Sequence, residues 1–195
     1  MENPELELEL IRRAQQGDLR AYGALVKRYE ERMFYTAYRI LHQREDAEDC
    51  LQETFLRVWD RLRELSDVRA FQLWIYRILS NQALDILRRR ERQREGLESY
   101  GSEVLHLARV SSPASPRELL RRSREVERIE RAIEELPPRQ KLVFVLRHFQ
   151  GLKLTEIAEV LNSPLGTVKA TLHNALQKLQ GSLIGSGEVD ERARR

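Results

Sequence analysis

The chain has 195 residues, 41% apolar and 33% charged, with a formal charge of +3; this is the make-up of a globular protein with one ordinary domain or two small ones, and it excludes a wholly disordered chain. No apolar run approaches the roughly 20 residues of a membrane span and no secretory leader pattern opens the chain, so a cytoplasmic protein with no membrane insertion is expected. A single cysteine, Cys50, rules out an internal disulfide, and four scattered histidines offer no zinc spacing; neither metal nor cofactor is expected.

Charge is segregated along the chain. The start, "ENPELELEL", is acidic, whereas Arg69 to Arg94 holds seven arginines against Asp85 and Glu91. From Leu8 to about Arg94 the pattern predicts consecutive helices, with no strand-like alternation. Gly17-Asp18 marks one start, with Asp18 as cap, and Ala21, Leu25, Tyr29, Met33 and Ala37 form its apolar stripe, with Phe34, Tyr38 and Leu41 alongside. The next helix, "REDAEDCLQETFLRVWDRLREL", spaces Ala47, Leu51, Phe55, Val58, Leu62 and Leu65 by fours and threes. A third follows the break "LSDV" and runs from about Val68 to Arg92. Cys50 lies on the apolar side of its helix, a packing position rather than a redox sensor.

Glycine, serine and two prolines interrupt the pattern beyond Arg94, so residues 95–116 read as a flexible linker between two helical modules, 8–94 and 117–182. Pro137-Pro138 separates a helix ending near Leu136 from a compact one that stops at Gly151. Residues 183–195, rich in Gly and charge, read as a flexible tail. The expected fold class is all-α: two small helical domains.

"LTEIAEVLNSPLGTVKATLHNALQKL" carries the strongest local signal, a helix-turn-helix. Ile157, Ala158 and Leu161 line a first short helix, Asn162 suits a left-handed turn, Ser163 can cap and Pro164 suits a first turn. The second helix buries Leu165, Val168, Leu172, Ala175 and Leu179. Its outward residues are Thr167, Lys169, Ala170, Thr171, His173, Asn174, Gln177 and Lys178. Asn and Gln can pair with adenine, and a Thr methyl can touch thymine. Only two of these are lysines, so the module alone would hold DNA feebly, each neutralised phosphate being worth about 0.9 in the salt slope. The same pattern also fits an ordinary helical hairpin that touches no DNA.

Both modules resemble one family, the small bacterial extracytoplasmic-function (ECF) sigma factors of RNA polymerase, over about Ala14 to Arg94 and Arg128 to Leu179. "DAEDCLQETFLRVWDRL" followed by "FQLWIYRILSNQALDILRRRER" resembles sigma region 2, and "LPPRQKLVFVLRHFQGLKLTEIAEVLNSPLGTVKATLHNAL" resembles region 4. The resemblance implies a non-enzymatic subunit that binds core RNA polymerase and promoter DNA and is held inactive by an anti-sigma protein. It assigns Asp46, Glu48, Asp49, Gln52 and Glu53 to core binding; acids suit a basic partner, although they also suit a solvated helix start. It assigns Ser66, Asp67, Arg69, Tyr76, Asn81, Asp85, Arg88 and Arg89 to the −10 element, where a flipped base needs a pocket and Asp85 can orient Arg89 at i+4. Trp74 and Tyr76 invite stacking on a base, but aromatics at helical spacing also suit a core; Trp74 reads as core and Tyr76 stays open between the two. It assigns the outward helix-turn-helix residues to the −35 element. Thr171 and Asn174 stand where many members carry Arg, Leu176 and Gln177 replace further basic positions, and Asn162 and Ser163 replace the usual Gly and apolar turn residues, so no promoter consensus transfers. Two other readings remain: a stand-alone helix-turn-helix regulator, which leaves the first module unexplained, and a helical adaptor that binds only proteins.

Overall fold

The computed structural model describes residues 4–98 and 124–192, with side chains over 4–93 and 128–183. Among the described residues the chain is helical with no strand: α1 (Pro4–Gln15), α2 (Leu19–Leu41), α3 (Arg44–Arg61), α4 (Phe71–Glu98), α5 (Arg124–Glu134), α6 (Pro138–His148), α7 (Leu154–Val160) and α8 (Leu165–Arg192). Two short 3₁₀ turns, Leu62–Glu64 and Val68–Ala70, bridge α3 to α4. No described helix is long and apolar enough to cross a membrane. Most of the expected linker, residues 99–116, lies outside the described residues, and α4 carries on as helix through its first four positions. The backbone of α8 likewise continues to Arg192, through the segment expected as a tail.

Local chemistry sets the boundaries. Asp18 accepts from the backbone N–H of Arg20 and Ala21, capping α2 as its position predicts, and Arg13 pairs with the same carboxylate at 2.6 Å. That guanidinium and the backbone donors hold the Asp18 carboxyl below its usual range. His42 ends α2 in the left-handed conformation (φ 53°), its N–H returning to the Tyr38 carbonyl. Part of the acidic start is used within the fold. Glu7 folds onto α2, pairing with Arg28 at 2.9 Å and accepting from the Tyr29 hydroxyl at 2.6 Å.

The expected stripe of α2 is the centre of the core: Ala21, Leu25, Tyr29, Met33, Ala37 and Leu41 are all buried. Ala47, Leu51 and Val58 of α3 and Ile75, Leu79 and Ala83 of α4 close over it. Cys50 is buried here, its Sγ 3.9 Å from the Leu79 carbonyl, and burial pushes its thiol up to about 12, which keeps it inert.

The core does not stop at the module boundary. Leu142, Val143, Val145 and Leu146 of α6, Leu152, and Ile157 and Val160 of α7 belong to the same continuous cluster. Helix α6 packs on α2 and α4, and α7 packs on α4. A second, smaller cluster joins Ala132, Ile133 and Leu136 to Ala175 and Leu179 within the second half. The two expected modules therefore share one apolar interior.

Leu25 is 1% exposed at the middle of this core. Leu25→Ala should cost about 2–5 kcal/mol through reduced burial and a residual cavity, read as a lower urea midpoint with an unchanged slope.

Candidate protein and nucleic-acid interfaces

Helix α3 presents an acidic face, but not with every residue the sequence places there. Asp46 turns inward and pairs with Arg90 of α4, which also donates to the Leu41 carbonyl (2.8 Å) and to the Gln43 amide oxygen (2.6 Å). Asp46 thus fastens α3 to α4 at the border of the exposed face, its side chain 30% exposed. Glu48 and Glu53 are outward and paired along the helix with Arg44 and Arg57, each at 2.7 Å. Such exposed i,i+4 pairs are weak and easily exchanged for an intermolecular partner. Asp49 and Gln52 are exposed between them, and Leu56 stands beside them 62% exposed. An apolar residue amid acids escapes a charge-based reading; only its place one turn beyond Gln52 marks it.

The loop before α4 is held from behind. The Gln15 amide donates to the carbonyls of Leu62 (3.0 Å) and Leu65 (2.8 Å), and the Asp67 carboxylate accepts from the Arg69 N–H at 2.9 Å. Ser66, Asp67 and Arg69 are consequently exposed on a braced turn. Along α4, Asn81, Asp85, Arg88 and Arg89 also face outward. Asp85 pairs with Arg88 at 3.3 Å, whereas Arg89 reaches the Asp85 backbone carbonyl, so the carboxylate orients Arg88 and not Arg89 as the spacing predicted. Trp74 packs partly buried with its ring 6.1 Å from Phe71, the core role expected of it.

Tyr76 takes the core alternative in this packed form. Its side chain is 0% exposed and its hydroxyl donates to the Gln150 amide oxygen at 2.7 Å, with burial pushing the phenol up to about 12. No base can stack on it while α6 and α7 lie against α4. Gln150 also accepts from Arg32 at 3.1 Å, and Arg77 donates to the Glu159 carbonyl at 2.8 Å. The Arg39 guanidinium lies 4.2 Å over the Phe149 ring. These seam residues carry no pattern signal, because each partner lies in the other half of the chain.

The helix-turn-helix forms as its sequence predicts. Asn162 takes the left-handed conformation (φ 44°), and the Ser163 N–H returns to the Ala158 carbonyl at 2.9 Å. Ser163 does not cap as its residue type suggests; its hydroxyl instead donates to the Leu161 carbonyl at 3.1 Å and accepts from Arg139 of α6, locking the turn. Val168, Ala175 and Leu179 are buried, and Thr167, Lys169, Ala170, His173, Asn174, Gln177 and Lys178 are exposed. Thr171 is half-buried and its hydroxyl donates back to the Thr167 carbonyl at 2.8 Å. Arg139 adds a cation beside the turn that a reading confined to the recognition helix misses. No group of three or more metal-ligating side chains occurs among the described residues.

A helix-turn-helix with an outward second helix, packed against a bundle whose own surface is acidic on one helix and basic on another, defines a DNA-reading protein with a second interaction module. Similarity to known proteins narrows the class. Residues 25–93 match the family model described as Sigma-70 region 2 and residues 126–179 that described as Sigma-70, region 4. The chain is 30% identical over 182 residues to the ECF RNA polymerase sigma factor SigW of Bacillus subtilis, covering 89% of this chain and 94% of that one. It is 32% identical over 182 residues to the ECF RNA polymerase sigma-E factor of Haemophilus influenzae, covering 89% and 93%. The chain belongs to the ECF RNA polymerase sigma factors. Its fold is shared with CnrH, solved in complex with the cytosolic domain of CnrY (TM-score 0.67, 23% identity, 92% of this chain and 98% of that), and with the sigma factor RpoE of Bartonella quintana, solved with the anti-sigma factor NepR (TM-score 0.64, 17% identity, 85% and 98%).

Neighbouring arginines on α4 should separate by role. Arg90→Ala, which strips Asp46 and the Leu41 carbonyl of their partner, should lower stability by on the order of 1–2 kcal/mol. Arg89→Ala should leave the stability read by urea denaturation within about 0.5 kcal/mol of the parent.

Proposed function

We infer that this sigma factor engages core RNA polymerase through the acidic face of α3 and promoter DNA through two separate surfaces. The core contact is assigned to Asp49, Gln52 and Glu53, with Glu48 and Leu56 at its edge; an acidic face with one apolar centre fits a basic protein surface. The braced turn Ser66–Asp67–Arg69 and the outer face of α4, Asn81, Asp85, Arg88 and Arg89, are assigned to the −10 element. The outward residues of α8 are assigned to the −35 element. The observation that carries this reading is the coexistence, on one chain of this family, of an outward recognition helix with few cations and a separate basic helix face on α4. Polymerase supplies the remaining grip and performs the chemistry; the chain itself works in the cytoplasm and catalyses nothing.

The packed arrangement constrains how such a chain works. Elements named −10 and −35 lie roughly 25 base pairs apart, about 85 Å of duplex at 3.4 Å per step. Helices α4 and α7 touch, with Arg77 bonded to Glu159 at 2.8 Å. The 25 residues between Glu98 and Arg124 reach at most about 85 Å when extended. Reading both elements at once therefore needs the seam between α2–α4 and α6–α7 to open, which also uncovers Tyr76. The solved relatives CnrH and RpoE are each bound to a second protein, an anti-sigma factor in the case of NepR. A protein of that kind, stabilising the shut form or covering the same faces, is the proposed negative regulator here.

Transcription with bacterial core polymerase over a randomised promoter library tests the reading. Chain-dependent initiation at promoters sharing two spaced elements is expected; absence of both initiation and core binding would overturn it in favour of a stand-alone regulator. Charge reversal at Asp49 and Glu53 should impair competition for core before it affects DNA selection. Arg88→Ala with Arg89→Ala should weaken promoter use while pull-down of core stays near the parent level, and the salt slope of promoter binding should fall by about 0.9 for each phosphate no longer neutralised.

A further inference from the structure

The seam holds a partly buried charge cluster that the proposed core-binding and promoter-reading surfaces do not need. His42, at the end of α2, sits against three other helices. Its Nδ1 lies 2.9 Å from a carboxylate oxygen of Glu134 in α5. Lys141 of α6, itself only 7% exposed, and Arg90 of α4 face the same ring, and Asp46 of α3 pairs with Arg90. The other ring nitrogen, Nε2, is buried with no hydrogen-bond partner among the described residues. A neutral imidazole satisfies this geometry: it donates from Nδ1 to Glu134 and leaves a bare Nε2. With His42 neutral, Lys141 and Arg90 balance Glu134 and Asp46. A proton on Nε2 would find no acceptor and would leave one net positive charge facing two cations in a buried seam.

We propose that His42, Glu134, Lys141 and Arg90 form a proton-sensitive latch that holds the two modules together and releases them on acidification.

The electrostatics agree with the geometry. Burial pushes the His42 imidazole down to about 4, and Lys141 and then Arg90 push the same way. Glu134 opposes this, but its side chain is 44% exposed and it also serves Lys141. When the seam parts, α5 and α6 leave and His42 returns to its ordinary value near 6.5. The open form then binds the extra proton between those values. The latch is thus intact above about 6.5 and weakens progressively as pH falls toward 4. From pH 7.5 to 5.5 the open-to-closed ratio should rise about tenfold on these two values. Lys141, pulled down to about 8 by burial, with Glu134 pulling back and Arg90 pushing further, acts in the same direction but adds little over that interval.

The proposal rests on the sigma-factor reading only for its biological use, so the test reads opening in the full chain alone. Dyes on Glu30→Cys and Gln180→Cys in a Cys50→Ala background, followed by single-molecule energy transfer, count closed and open molecules, and circular dichroism tracks helix content. The low-transfer population should grow about tenfold relative to the high-transfer one from pH 7.5 to 5.5 with helicity retained. His42→Asn keeps a residue that tolerates a positive φ and whose amide can donate to Glu134; its ratio should change less than about twofold over the same interval. A tenfold response in His42→Asn, or none in the parent, would overturn the latch. Should the open form be too rare to count, Tyr76→Phe, which removes the bond to Gln150, raises it into range, and absence of the pH response in that background overturns the proposal equally. Failure of promoter-dependent transcription with an intact pH response would instead strike the functional reading.

Discussion

Helix α6 is buried around more of its circumference than one neighbour can cover. Lys141, Leu142, Val143, Val145 and Leu146 are all inside, and at 3.6 residues per turn they sweep about 200° of the helix. A surface helix hides a stripe of little more than 100°. Its own module covers one side through α7 and α8; the remainder needs α2 and α4. The joining of the two halves is thus written into the second half, in a helix that has no satisfactory free form of its own. Everything that distinguishes the shut chain follows from that excess: the burial of Tyr76, the bonds gathered on Gln150, and the capture of His42 between four helices.

A seam made only of aliphatic contacts would be hard to part. This one is mixed. Tyr76, Arg32, Arg77 and His42 hold polar bonds across it, and the Lys141 ammonium feels the Glu134 carboxylate beside it. In the parted state each of these groups regains water, so the net cost per hydrogen bond is only about 0.5–1.5 kcal/mol. The apolar contacts give the seam its strength, and the polar ones keep that strength within reach of a proton or a partner protein.

Much of the local structure is legible in the sequence because it depends on near neighbours. The stripe of α2, the Asp18 cap, the left-handed Asn162 and the packed side of α8 all follow from periodicity and turn chemistry. What depends on tertiary contact is not. Asp46 reads as an acid on or beside the exposed face, and Arg90, 44 residues away, draws it to the border. Tyr76 reads equally as core or as a stacking surface, and the partner that decides it, Gln150, lies in the other module. Asp85 offers two arginines at helical spacing, and spacing alone does not say that its carboxylate takes Arg88. The composition of "GLESYGSEVLHLARVSSPASP" marks a break between modules, but no composition could tell that the parts on either side share a core.

The weak charge of the recognition helix and the shut seam bear on each other. A chain that must open before it reads DNA has an apparent affinity reduced by the fraction that is open. Two outward lysines on α8 and one nearby arginine on α6 give little electrostatic gain to offset that reduction. Free chain in excess of polymerase would therefore leave DNA largely unoccupied. On the proposed reading, polymerase changes the balance by binding α3 and by holding both DNA surfaces near one duplex, where each raises the effective concentration of the other. Low intrinsic DNA affinity and a closed resting form then serve one end: promoter reading becomes conditional on the enzyme that can use it.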